Sequence, residues 1–155
     1  MKHKPHYTLM HELMASPANP MPAEKTRHQL TRMHSGLESL ERGESPNNDD
    51  WRVLSDAVNL VETLIEMGEV ADAQGLHKDA MAALAMAGKR HLEGKPLRLD
   101  GEGIKALRAL LTDYAEVLAV LPERTMVRCH RRTEKRIHEI LVGKRRPHDV
   151  EVMAI

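Results

Sequence analysis

The stretch Asp100–Pro147, DGEGIKALRALLTDYAEVLAVLPERTMVRCHRRTEKRIHEILVGKRRP, holds two helical periods that meet at a proline. In its first half Ile104, Leu107, Leu111, Tyr114, Leu118 and Leu121 recur at spacings of 3, 4, 3, 4 and 3. That period lays one apolar stripe along an α-helix and does not fit a strand, whose side chains alternate. Asp100 stands where an N-cap carboxylate would accept from first-turn N–H groups. Pro122 ends this pattern, because proline disfavours helix in the residue before it, yet it suits the start of a helix. A second helix therefore begins at Pro122 across a corner with almost no loop. On a helical wheel Met126, His130, Thr133, Ile137, Ile140 and Leu141 gather on one side of it. Arg124, Arg128, Arg131, Arg132, Lys135 and Arg136 gather roughly opposite, and Gly143 is a natural C-terminal stop.

Working outward, three further helices are expected upstream. Leu30, Met33, Leu37 and Leu40 recur at 3, 4 and 3, which predicts a helix from Pro22 to Arg42. Trp51 to Met67 carries a broad apolar arc, and a broad arc means contact with more than one neighbour. Asn48 or Asp49 is expected to cap it. Ala73 to Leu92 is rich in alanine, the strongest helix former, and its small side chains let helices approach closely. Ahead of these lies SPANPMP, residues 16–22, an extended linker. Tyr7–Met14 can make two turns of helix with Leu9, Met10, Leu13 and Met14 seeking a neighbour. The expectation is an all-α, single-domain bundle of about five helices. Residues 1–22 form a flexible N-terminal arm, 23–142 the helical domain, and 143–155 a short basic tail in which Val150, Val152 and Ile155 are free to pack.

Composition narrows the function. The chain has 155 residues, enough for one domain with a real core, and 23 acidic against 23 basic side chains. The charges are unevenly spread. Glu38–Ala80 holds eleven acids and three bases, whereas Pro122–His148 holds nine Lys/Arg and three acids. Such a dipole suits an anionic partner, head-to-tail self-association or internal compensation. With one Trp, two Tyr and no Phe, the chain has little to offer the base stacking used in sequence-tolerant single-strand binding. Cys129 is the only cysteine, so no internal disulfide forms, which fits a reducing compartment. MKHKPHYTLMHELM lacks the apolar core and cleavage site of a leader, and no apolar run is long enough to span a bilayer. A cytoplasmic protein without a membrane partner is expected.

Catalytic and metal motifs are weak. GEGIKA at Gly101–Ala106 matches the dinucleotide fingerprint, which needs a βαβ unit that no pattern here supplies, so it reads as a helix start. His11-Glu12 lacks the second histidine of a zinc peptidase helix, since position 15 is alanine. His3, His6 and His11 cluster without carboxylates or cysteines at ligand spacing, so neither metal nor cofactor is expected. Cys129, flanked by Arg128, His130, Arg131 and Arg132, is the one candidate nucleophile, because neighbouring cations lower a thiol pKa. A cysteine at a helix border is more often a packing residue, and no enzyme is expected.

The basic helix carries the remaining signal. Arg124, Arg128, Arg131, Arg132, Lys135, Arg136, Lys144, Arg145 and Arg146 are the candidate binding residues, and seven of them are arginine, whose fork matches phosphate and carboxylate. The alternative is a solvated face compensated by the acidic second helix. The leading expectation is a non-enzymatic module that engages nucleic acid, or a nucleic-acid-binding complex, through this helix. The second is a protein-binding or self-assembling adaptor or inhibitor that pairs acidic and basic surfaces as a homo-oligomer or on an acidic protein. DDWRVLSDAVNLVETLIEMG and PLRLDGEGIKALRALLTDYAEVLAVLPERTMVRCHRRTEKRI resemble uncharacterised small helical proteins of proteobacterial prophages and mobile elements. The resemblance covers roughly Asp49–Pro147 and implies a setting of DNA handling, regulation or interference with host machinery, with no site residue transferred.

Overall fold

Asp100 accepts the Gly103 N–H at 2.7 Å and so starts the helix that the 3-4 pattern requires. The computed structural model describes residues 4–43, 46–72 and 74–144. Within them run α1 (Leu9–Met14), α2 (Ala23–Arg42), α3 (Asn48–Glu66), α4 (Leu76–Leu92), α5 (Gly101–Val120) and α6 (Glu123–Leu141). No strand occurs among the described residues, where Pro20 and Pro122 share an isolated antiparallel bridge. The expected tail beyond Lys144 lies outside the described residues.

The helix starts differ from the expectation for local chemical reasons. Asn47, not Asn48 or Asp49, caps α3, accepting from Asp50 N–H at 3.0 Å while the Asp50 carboxylate takes the Asn47 N–H at 2.9 Å. That reciprocal pair is a capping box with a carboxylate in the helix's positive first turn. Helix α4 begins later than expected, after Gly75 in the left-handed region at φ 70°. The Asp72 carboxylate reaches across to the His77 and Lys78 N–H groups, which otherwise have no intrahelical partner.

Helix α3 is the hub, packing against α2, α4, α5 and α6, as its broad apolar arc requires. Leu54, Ala57, Val58 and Leu64 on it are fully buried. Both large aromatic anchors are buried with their polar tips satisfied. Trp51 donates its indole N–H to the Leu84 carbonyl at 3.0 Å, and the Tyr114 hydroxyl meets the Gln29 amide at 3.2 Å. Helix α6 lies on α3, and α1 lies on α6.

Gly36 shows how closely α2 and α3 approach. A Cβ there would sit 2.8 Å from Val53 Cγ2 and 2.9 Å from the Asp50 carbonyl oxygen. Alanine would gain up to about 1 kcal/mol of helix propensity, but the backbone carbonyl has no rotamer through which to escape. Gly36→Ala is therefore expected to lower the unfolding free energy by about 1–2 kcal/mol, read from urea denaturation; an unchanged or higher midpoint would contradict the close approach.

Candidate functional site: an arm clamped on the basic helix

The start of α6 has no side-chain cap, because Pro122 holds the N-cap position. The N-terminal arm does the capping. Glu123 N–H donates to the Asn19 carbonyl at 2.8 Å, and Arg124 N–H donates to the Ser16 carbonyl at 3.0 Å. In return, the Arg124 guanidinium donates to the Leu13 and Ala15 carbonyls at the end of α1, at 2.8 and 3.2 Å. Each helix thus satisfies the orphan groups of the other, with a cation at the negative end of α1. Helix α1 also has its own capping box, in which Thr8 and His11 exchange hydrogen bonds. Six residues are too few to hold a helix alone in water, so α1 depends on this docking.

Glu12 is the centre of the clamp. It is 7 % exposed, and its carboxylate lies 3.1 Å from Arg131 Nη1 and 3.5 Å from Arg128 Nε. Glu134 of α6 adds a further tie by accepting the His6 N–H at 3.0 Å. The expected flexible arm is instead docked from His6 onward on its own bundle. Its polarity is reversed. The charged residue is inside, while Leu9, Met10, Leu13 and Met14 are 54, 62, 55 and 79 % exposed. These four were expected to seek a neighbour, and the described chain leaves each of them more than half exposed.

The expected continuous cationic stripe on α6 is therefore not open. Arg124, Arg128 and Arg131 hold the arm. Arg136 is buried: its fork reaches Thr63 Oγ1 at 2.9 Å, the Asn59 carbonyl at 3.0 Å, and Glu62 and Glu66 at 3.4 Å. The inward seam of α6 is Met126, Cys129, Thr133, Arg136 and Ile140, a 3-4-3-4 series with arginine in it. Leu141, expected on the apolar side, is exposed. Lys135 reaches Glu139 at 3.8 Å, Arg132 and Lys144 are exposed, and Arg145 and Arg146 lie outside the described residues. Cys129 is fully buried and donates to the Leu60 carbonyl; burial pushes its thiol up to about 12, against the lowering expected from its arginine neighbours.

Two concave features escaped the sequence reading. A cavity of about 760 Å³ opens beneath the arm, between α2, α3 and α6, with Tyr7, Asp56 and His130 in its wall. Asp56 is an exposed residue by surface area but sits within the concave mouth, where partial withdrawal from bulk water outweighs the Arg32 charge and moves its carboxyl up to about 6. His130 packs against Tyr7 and His6, at centroid distances of 5.2 and 6.2 Å. Burial, aided by His6, depresses it to about 4. A second groove of about 580 Å³ runs between α3, the segment before α4, and α5. Its lining includes Val61, Leu64, Val117 and Val120, three carboxylates (Asp72, Asp113, Glu116), and no Lys or Arg.

Compared with known proteins, the chain matches no family model, no curated protein and no solved structure. Among the described residues no three His, Cys, Asp or Glu side chains gather as a metal site, and no helix is long and apolar enough to cross a membrane.

Two outcomes follow for the clamp. Glu12→Gln removes the charge that Arg128 and Arg131 hold, so amide exchange at Ala15 and Arg124 is expected to rise while core α3 amides keep their protection; unchanged exchange would contradict the clamp. Asp56 and His130, both in the cavity wall, act in opposite directions. Between pH 6.5 and about 4 the unfolded chain takes a proton on His130 that the folded chain refuses, so this group destabilises as pH falls. Between about 6 and 3.8 the folded chain takes a proton on Asp56 that the unfolded chain refuses, so this group stabilises. Asp56→Asn is thus expected to lose stability relative to the parent as pH falls from about 6 to 4, in urea melts at stepped pH; a pH-independent difference would contradict the assignment.

Proposed function

We propose that the protein is a helical interaction module that self-associates head to tail, α1 of one copy seating in the α3–α5 groove of the next. The observation that carries this reading is the reversed polarity of α1, with Glu12 inside and four large apolar side chains outside. Scattered single apolar residues on a surface are ordinary, but four on one two-turn helix form a patch.

Charge supports a second copy as the occupant. The groove has an apolar floor and an acidic rim without a Lys or Arg. The arm's only described acid is neutralised inward by two arginines, so the outer face of α1 brings no open carboxylate to that rim. Apolar meets apolar, and no carboxylate of the arm is left to oppose the acidic rim. No residue that clamps α1 lines the groove, and the two surfaces serve one contact each. The arginines of α6 act in this reading by holding the arm with its apolar face outward, in place of contacting nucleic acid directly. The contact is small, so weak and concentration-dependent association is expected.

An interface between two different patches has a signature that a symmetric dimer lacks. The wild type is expected to gain mass with concentration in light scattering. Leu9→Asp with Leu13→Asp spoils the arm, and Asp113→Lys with Val120→Lys spoils the groove, at exposed positions in both cases. Each variant alone is expected to be monomeric. Their equimolar mixture is expected to stop at a dimer, whose one contact uses up the only intact arm and the only intact groove. A wild type that stays monomeric, or variants that associate as it does, would overturn the reading.

A further inference from the structure

The cavity under the arm has no role in self-association, and its lining is not that of a simple packing defect. An empty packing defect is apolar, whereas this space of about 760 Å³ is lined by charged, imidazole and phenol groups from four segments. Its size falls within the roughly 300–1,000 Å³ of small-molecule sites. The side chains are sorted by position. Lys4 on the arm and Lys25 and Arg32 on α2 are exposed at its edge, while Met21, Met33 and Leu60 form buried floor. Tyr7 and His130, in edge contact with each other, bring rings to its wall, and Asp56 supplies an acceptor.

We propose that this cavity binds a small organic phosphate with a flat ring, of the size class of a mononucleotide. The phosphate sits at Lys4, Lys25 and Arg32, and the ring enters between Tyr7 and the methionine floor. The cationic edge outweighs its two carboxylates in effect. Glu134 is already engaged by the His6 N–H, which leaves Asp56 to accept from a ring or amino N–H of the ligand. Lys25 does reach Glu123, at 3.5 Å, but its side chain is 63 % exposed, so that pair is weak and leaves the ammonium available. A neutral imidazole at His130 offers one donor and one acceptor in place of a charge. The arm forms one wall, so ligand entry and arm docking are coupled: a bound phosphate adds a tie between Lys4 of the arm and α2.

The probes are adenosine monophosphate and phenyl phosphate, each titrated into the full chain by calorimetry, with inorganic phosphate as the ring-free control. The expected result is saturable one-to-one binding of at least one ring-bearing probe, with inorganic phosphate at least about tenfold weaker, a difference of about 1.4 kcal/mol. Lys25→Ala with Arg32→Ala alters two exposed side chains, which keeps the fold testable by circular dichroism, and is expected to weaken that binding about tenfold or more. Asp56→Asn is expected to weaken adenosine monophosphate more than phenyl phosphate, which has no ring donor. No saturable binding of either ring-bearing probe, equal affinity for inorganic phosphate, or binding indifferent to the lysine and arginine changes would each overturn the proposal.

Discussion

One carboxylate held by two guanidinium groups organises the outer half of this molecule. Glu12 is nearly buried at the contact between α1 and α6, and Arg131 and Arg128 approach it from one side. A charge that has left water needs such partners, since an unpaired buried carboxylate is far costlier than a paired one. Once Glu12 points at α6, helical geometry turns Met10, Leu13 and Met14 away from that contact, and Leu9, one turn before Glu12, stays exposed beside it. The arrangement also explains how a two-turn helix persists. Arg124 ties off its last carbonyls, and the following Ser16–Asn19 segment ties off the first N–H groups of α6. The exposed apolar patch is thus the geometric counterpart of the buried charge.

Much of the bundle was legible because its signals are local. The 3-4 spacing in α5, the Asp100 cap and the proline corner at 122 each act through neighbouring residues, and each has the expected form. The broad arc of α3 predicted several neighbours and has four. The cap of α3 is Asn47, ahead of both expected residues, Asn48 and Asp49, because a carboxylate three positions on selects it. The alanine-rich helix starts at Leu76 because Gly75 and the Asp72 carboxylate stop it earlier.

The site was less legible, and the reason is long-range pairing. On a wheel Arg136 belongs with its basic neighbours, yet it also continues the series 126, 129, 133. Only the approach of Glu62 and Glu66, one turn apart on α3, turns it inward, and a buried arginine keeps its aliphatic stem in the core while its fork is satisfied. Part of the sequence-level dipole is therefore internal compensation. Glu12 left a readable trace, as the single acid among four apolar residues in Tyr7–Met14, but its sign depended on knowing that arginines lay below it. The cavity and the groove left no trace, because each collects side chains from three or more segments far apart in the chain.

The arm links the two surfaces: its outer face is apolar, and its inner face walls the cavity. Methionine offers a direct reading of this arrangement, since the described methionines fall on both sides of it. In methyl-labelled protein at low concentration, a soluble paramagnet should broaden Met10 and Met14 strongly and leave Met21, Met33 and Met126 sharp, in line with their burial. Sharp signals for Met10 and Met14, or a Met21 signal broadened as much as theirs, would mean that the arm does not dock with its charge inward, and the account would fail.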